Sequence, residues 1–313
     1  MKLNPSEIKG FNYQPSNGTT GLELWMNFNP SLIEHEIALG VKYFPRMNAI
    51  RFWLSYDAYN RNPVQFMNNF ETALSIFNKF NLQIMPVLFN RWHNAELDYG
   101  GIYIDGLLGY IGDLAKQQEK QNKYLQNVIG EHANDPRIFC WDLCNEPNPV
   151  YHIPELARIE MDWLKRLYLT AKEHTSIPIT IGSHAGCHVA TLEPISDWLS
   201  IHPYLTVDTP ENREKFKTML DEYVEVACKA KKPLIATETC WGSLSGQERV
   251  ENGRFTLSEL KKRNIGWLVY LLHHSLIADA HRPEYGPVGA PGNLSFIEAD
   301  GSLRPGHDFF NDY

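Results

Sequence analysis

No stretch of this chain is apolar for long enough to cross a bilayer, and its opening Met1-Lys2-Leu3-Asn4-Pro5 runs straight into polar sequence. Without the apolar core that a secretory leader needs, the expected compartment is the cytoplasm. No Lys/Arg cluster is present and the net charge is −8, which argues against nucleic acid or an anionic membrane as partner. No Gly-x-Gly-x-x-Gly follows the first apolar run, so an open sheet that binds a dinucleotide is not expected. Repeats, low-complexity tracts and Pro/Gly/Ser linkers are missing too, and the chain reads as one domain over residues 1–313. Cysteine is sparse and odd in number, at 5. Cys140, Cys144 and Cys228 fall in expected core elements, so buried free thiols and a reducing compartment are the reading.

What is present is a large apolar fraction, 43%, enough for one extensive core. Aromatic residues make up 12%, with 8 Trp and 15 Tyr, a supply that suits core packing and stacking on flat apolar faces alike. Solid apolar runs alternate with amphipathic stretches from Ile8 onward. The runs are Ile8–Tyr13, Ala49–Leu54, Gln83–Phe89, Ile138–Asn148, Ile179–Gly182, Leu199–Tyr204, Leu234–Glu238 and Gly266–Leu272. Between them, a helix is expected to open at Ser31 with Glu34 completing a capping box. Others carry Phe66, Phe70, Ala73, Leu74 and Phe77 on one face, end near Asp135-Pro136, or start at Pro154. Phe216, Met219, Leu220, Tyr223, Val224 and Ala227 mark the clearest helical period, Gln247–Arg263 another helix, and Pro305–Asn311 a short closing element. Strands apolar on both faces and alternating with helices form parallel sheets covered on both sides. Eight such units are expected to close into a (β/α)8 TIM barrel.

In such a barrel the carboxyl ends of all strands open on one mouth. That gathers Arg51, His93, Asn145, Glu146, His202, Tyr204 and Glu238 into one place. Glu146 and Glu238 each end an apolar strand, and a carboxylate there is costly to bury without a task. Two facing carboxyl groups are the equipment for breaking a glycosidic bond, roughly 5–5.5 Å apart where the anomeric configuration is retained. Arg51 and Tyr204 are expected to keep Glu238 ionised; burial and the second carboxylate are expected to raise Glu146 so that it serves as the acid. Asn145 is placed to bind the sugar 2-hydroxyl. Each residue also has a plain structural reading: Arg51 capping a carbonyl, His202 a satisfied histidine, Tyr204 packing at the rim, Glu146 in a surface ion pair.

Asp142-x-x-Asn145-Glu146-Pro147, His202-x-Tyr204, Ala236-Thr237-Glu238 and Trp241 together resemble the retaining glycoside hydrolases of clan A, and among them family 5, which holds cellulases and mannanases. The resemblance runs from the first strand to Gly301-Ser302-Leu303-Arg304-Pro305. It implies acid/base catalysis by Glu146, a covalent glycosyl-enzyme on Glu238, an oligosaccharide or polysaccharide substrate, and no metal or cofactor. Arg51, His93, Asn145, His202 and Tyr204 take supporting roles at matching positions. Two departures mark a divergent member. Phe139-Cys140-Trp141 matches the family only approximately, and the last strand carries Trp267 at its start, where it suits the core. Tyr270, His273, Trp241 or Trp92 is then left to floor the sugar site.

The expected substrates are β-linked gluco-, manno- or xylo-configured oligosaccharides. A loop of about twenty residues after the third strand, with Arg91, Trp92, His93, Asp98, Tyr99, Tyr103 and Asp105, is long enough to be functional. With the Pro- and Gly-rich segment His273–Asn293 it is expected to wall a pocket that favours chain ends; an endo-acting β-glucanase or mannanase is the alternative. A sugar-binding barrel without activity would lack one of the two glutamates, and both are present. A metal-dependent isomerase or an aldolase would need clustered ligands or a strand-end lysine; Lys231 and Lys232 precede their strand. His184, Cys187 and His188, or His273, His274 and His281, lack the accompanying carboxylates of a metal site, and Cys240 reads as packing.

Overall fold

The computed structural model of the protein describes residues 3–91, 114–150, 152–184, 189–280 and 294–313. Its strands are β1 Lys9–Tyr13, β2 Ala49–Trp53, β3 Gln83–Asn90, β4 Trp141–Asn145, β5 Ile179–Gly182, β6 Leu199–Ile201, β7 Leu234–Ala236 and β8 Gly266–Val269. They form one 8-stranded sheet in the order β5-β4-β3-β2-β1-β8-β7-β6. Every ladder is parallel, with Asn12 opposite Arg51 and Asn90 opposite Asn145. The ring is completed between β5 and β6 by a parallel bridge from His184 to His202, whose N–H donates to the Ser183 carbonyl at 2.8 Å. This is a (β/α)8 barrel.

Helices cover the outside: α1 Gly21–Met26, α2 Pro30–Tyr43, α3 Tyr56–Arg61, α4 Pro63–Lys79, α5 Leu114–Glu131, α6 Pro154–Lys172, α7 Val189–Leu192, α8 Pro210–Ala230, α9 Gly246–Lys262 and α10 Leu276–Ala280. Alternation along each strand sends one set of side chains to these helices and the other into the barrel. On β2, Phe52 meets Phe77 of α4 edge-on at 5.1 Å, while Arg51 turns inward to Asp142 of β4 and Glu238 beyond β7. Toward the amino ends of the strands, Ile8, Ala49, Met85, Cys140, Ile235 and Leu268 fill the interior as an apolar plug. One step toward the carboxyl ends the filling turns polar, with Asn12, Arg51, Asp142, Ser200 and Thr237 all buried. The chemistry therefore sits on top of a solid floor.

Most expected elements fall in place within a residue or two, and the differences have local causes. The helix expected at Ser31 starts at Pro30, and its cap is Asn29, whose side chain accepts from the Leu32 N–H. β6 and β7 stop before Tyr204 and Glu238 because both chains leave the ladder to turn their side chains inward. Cys228 is exposed on α8, not in the core, whereas Cys140, Cys144 and Cys240 are buried free thiols. Trp267 is in the core as expected, at 2% exposure. The closing element is a short 3-10 helix, His307–Asp312, that buries Phe309 against Phe296 and Phe310 against Phe11 of β1. No helix among the described residues is long and apolar enough to cross a membrane.

Candidate active site

The site begins with an irregularity. In strict alternation Asp142 and Asn145, three apart, would face opposite sides of β4. The β4–β5 register slips between them: Asp142 pairs with Thr180, and Asn145 with Gly182. This bulge turns both side chains into the barrel, a common use of bulges beside active sites. Both then bind Arg51, whose Nε reaches Asp142 Oδ2 at 2.9 Å and whose NH2 reaches Asn145 Oδ1 at 2.8 Å.

Arg51 is fully buried and serves the whole upper interior. Its NH1 donates to Asn12 Oδ1 at 2.8 Å and to Glu238 Oε1 at 2.5 Å. Burial alone would lower its pKa; Asp142 and Glu238 outweigh that and hold it above its ordinary value. A permanently charged guanidinium thus sets one edge against Glu238 and orients its carboxyl group. The other oxygen of Glu238 accepts from the Tyr204 hydroxyl at 2.8 Å. Burial, then the charges of Glu238 and Glu146, push the Tyr204 hydroxyl well above its usual range, so it stays a neutral donor. Trp241 stands edge-on to the Tyr204 ring at 5.3 Å.

Glu146 leaves β4 with φ of +44°, in the left-handed region, and Pro147 ends the strand behind it. Its N–H donates to the Gly182 carbonyl at 2.9 Å, and its carboxyl meets His202 Nδ1 at 2.6 Å. Nε2 of His202 is 2.9 Å from the Thr237 hydroxyl. Gly182 allows this approach: a Cβ there would lie 3.0 Å from His202 Nε2 and 3.1 Å from Arg51 NH2. One carboxylate oxygen from Glu146, one from Glu238 and one His202 nitrogen all lie within 4.8 Å of one another. Such a trio can also hold a cation. Here both Glu238 oxygens are already engaged by Arg51 and Tyr204, and both His202 nitrogens by Glu146 and Thr237, which suits proton handling better.

The expectation of a raised Glu146 is corrected. Burial does raise this carboxyl, but the hydrogen bond and charge of His202, with His184 and Arg51 adding to them, outweigh it and set Glu146 below its ordinary value.

Glu146, Glu238, Arg51, Asn145, His202 and Tyr204 are thus brought together, with Trp241 at their edge. His273 is placed elsewhere. It is buried after β8, 3.6 Å from Glu36 on α2, and Glu36 in turn accepts from the Tyr13 hydroxyl at 2.6 Å. Trp92, His93, Asp98, Tyr99, Tyr103 and Asp105 lie outside the described residues, as do Cys187, His188 and His281, and so does most of both loops expected to wall the pocket. Sequence reasoning missed Asn12, which orients Arg51, and Asn90, which accepts from Asn145 Nδ2 at 3.0 Å. Polar residues inside otherwise apolar strands were their signal.

No family model matches the chain. Over 73 residues it is 33% identical to mannan endo-1,4-beta-mannosidase A of Podospora anserina, a match covering 21% of this chain and 18% of that protein. An exo-beta-1,4-mannosidase from Opitutaceae bacterium strain TAV5 is similar in structure, with a TM-score of 0.75 at 16% identity over 97% of this chain. The two share the barrel fold. GH5_18 from Streptomyces cattleya, solved in complex with GlcNAc, shares it with a TM-score of 0.74 at 14% identity, over 97% of this chain and 78% of its own. The chain spans 58% of the length of the Opitutaceae mannosidase. At such identities the likeness is one of fold, and the family 5 resemblance of the motifs agrees with it.

Proposed function

We propose that the protein is a retaining β-glycoside hydrolase. The observation that carries the reading is the carboxyl spacing. Oxygens of Glu146 and Glu238 within 4.8 Å are closer than the roughly 6.5–9.5 Å of an inverting pair, and fit attack by one carboxylate on the sugar. In the first step a Glu238 oxygen bonds to the anomeric carbon as the bond to the leaving oxygen breaks, and Glu146 hands that oxygen its proton. In the second, Glu146 takes a proton from water, the water oxygen bonds to the anomeric carbon, and Glu238 leaves as carboxylate. Inversion twice gives retention.

The surrounding residues suit these steps. Arg51 and Tyr204 hold the two oxygens of Glu238 and keep it oriented. The Glu146–His202 pair stores the proton within one hydrogen bond. Once Glu238 is esterified its negative charge is gone, and Glu146 becomes easier to ionise just when a base is needed. Asn145 uses one amide hydrogen on Asn90 and has a second for a substrate hydroxyl. Tyr270, partly exposed just past β8, and Trp241 are the described aromatic side chains for the sugar floor.

The substrate class is β-linked and manno-configured, cut from a chain end; the mannosidase names among the relatives support this. The Podospora relative, named as an endo-mannosidase, favours internal cleavage as the second reading. Nitrophenyl β-mannosides and short β-mannans, with anomers followed by NMR, test both points. Glu238→Gly should abolish turnover, with azide restoring it and giving product of inverted configuration. Glu146→Ala should lose about 10²-fold or more on oligosaccharides and far less on activated aryl glycosides. An initial product of inverted configuration from the wild type would overturn the proposal.

A further inference from the structure

Outside the site itself, the most unusual feature near it is a buried ion pair. Glu160 lies on α6, on the same stripe as Trp163, Leu164 and Leu167, and its side chain is fully buried. Its carboxylate takes Nε and NH2 of Arg91 in two parallel bonds of 2.9 Å each. Arg91 directly follows β3, and its side chain is 3% exposed. Glu160 Oε1 also accepts the backbone N–H of Asn148 at 2.9 Å, and the backbone N–H of Arg91 donates to the Asn145 carbonyl at 3.0 Å.

Asn145 and Asn148 are the two ends of the turn that carries Glu146. Inside that turn Glu146 holds a left-handed backbone that residues with a side chain seldom adopt, and Pro147 has no N–H to anchor it. Such a conformation persists where its surroundings over-determine it. The Asn148 flank of this turn is tied to the Glu160 side chain, and the Asn145 flank to the backbone of Arg91, the residue whose guanidinium Glu160 holds. A buried ion pair gives little net stability over apolar packing of the same volume, so its value is in the geometry it enforces. Here that geometry belongs to the turn bearing the proton donor.

We propose that Glu160, acting through Arg91 and the Asn148 amide, is a positioning residue that aims Glu146 at the leaving-group oxygen. It makes no contact with the two carboxylates and takes no part in bond making. The inference rests on Glu146 being the acid/base, and it predicts a selective defect. If the turn loosens, proton transfer suffers while attack by Glu238 does not, because Arg51 and Tyr204 hold Glu238 from other strands.

The test compares Glu160→Gln and Glu160→Leu with the wild type on a mannobiose-type substrate and on a dinitrophenyl β-mannoside. Gln keeps an acceptor for Asn148 but sets an amide against the Arg91 guanidinium; Leu removes both anchors. The expected loss of kcat/KM on the oligosaccharide is about 10²-fold for Leu and about 10-fold for Gln, with little loss on the activated substrate. Crystal structures of both variants give a readout that needs no activity: the 2.6 Å contact between Glu146 and His202 should be broken in Leu and lengthened in Gln. Should Leu fail to fold, Gln alone carries both measurements. Equal losses on the two substrates, no loss on either, or an unchanged Glu146–His202 contact would overturn the inference. A wild type inactive on every β-glycoside would remove the proposed function, while the crystal structures would still decide whether Glu160 sets the turn.

Discussion

His202 Nδ1 stands 2.6 Å from Oε1 of Glu146, and the same nitrogen is 3.6 Å from Oε2 of Glu238. The imidazole therefore reports to both carboxylates, with the closer bond going to Glu146, the proposed acid/base. Its other nitrogen is fixed by Thr237, which neighbours Glu238 in the chain. A shift in one half of the site is felt in the other through a single ring.

His202→Ala should move the alkaline limb of the pH profile of kcat/KM to higher pH. His202 is the main group holding the Glu146 carboxyl below its ordinary value; without it the raising effect of burial remains, and Glu146 keeps its proton to higher pH. The profile is measured on an unactivated substrate, where proton donation limits the rate. A limb that stays in place, or moves to lower pH, would contradict the assignment of His202.

Arg51→Met should cost about 3–5 kcal/mol of stability, because it leaves Asp142 and Glu238 buried without their cation. Arg51→Lys keeps the charge and loses the fork that spans Asn12, Asp142, Asn145 and Glu238. That variant should fold and lose about 10²-fold in kcat. Urea denaturation and steady-state kinetics check the two expectations separately, and full activity in Arg51→Lys would show that charge alone suffices.

His307 should make the fold sensitive to acid. Burial, helped by the charges of Arg249 and Arg304, lowers its pKa to about 3, while its Nδ1–H donates to the Pro305 carbonyl. The unfolded chain takes up this proton near the ordinary histidine value of about 6.5, and the folded chain does not until far lower pH. Stability contributed by the neutral ring is therefore complete above about pH 6.5 and falls as pH drops toward 3, by about 2 kcal/mol at about pH 5. Urea titrations at about pH 7 and about pH 5 measure the loss, and His307→Leu should remove this part of it. Identical pH slopes in the two proteins would show that other groups carry the acid sensitivity.

Legibility in the sequence followed the range of the forces involved. β5 was readable to the residue, since Ile179–Gly182 is a short apolar run bounded by Pro178 and a polar loop. Glu146 and Glu238 were readable because a carboxylate ending an apolar strand contradicts its surroundings. Glu160 was not read, although it falls among Trp163, Leu164 and Leu167 on one stripe of α6. Glu36 offers the same signal on α2, beside Ile33, Ile37 and Gly40. It explains His273, which looked like a residue of the mouth and instead faces that helix. A charge inside an apolar stripe announces a buried partner, but its identity depends on an element far away in the chain.

The amino-acid order by itself determined the kind and succession of elements and the two carboxylates at strand ends, because apolar periodicity and strand punctuation act over a few residues. It was the tertiary structure that decided how those ends face one another. The bulge that turns both Asp142 and Asn145 inward is a mismatch between two strands, and neither strand specifies it alone. The fall of Glu146 below its ordinary value, against what burial would do, comes from His202, 56 positions away along the chain. Direction, distance and charge at a site belong to the neighbours that folding supplies, and the strength of an electrostatic interaction is set only when those neighbours have displaced water.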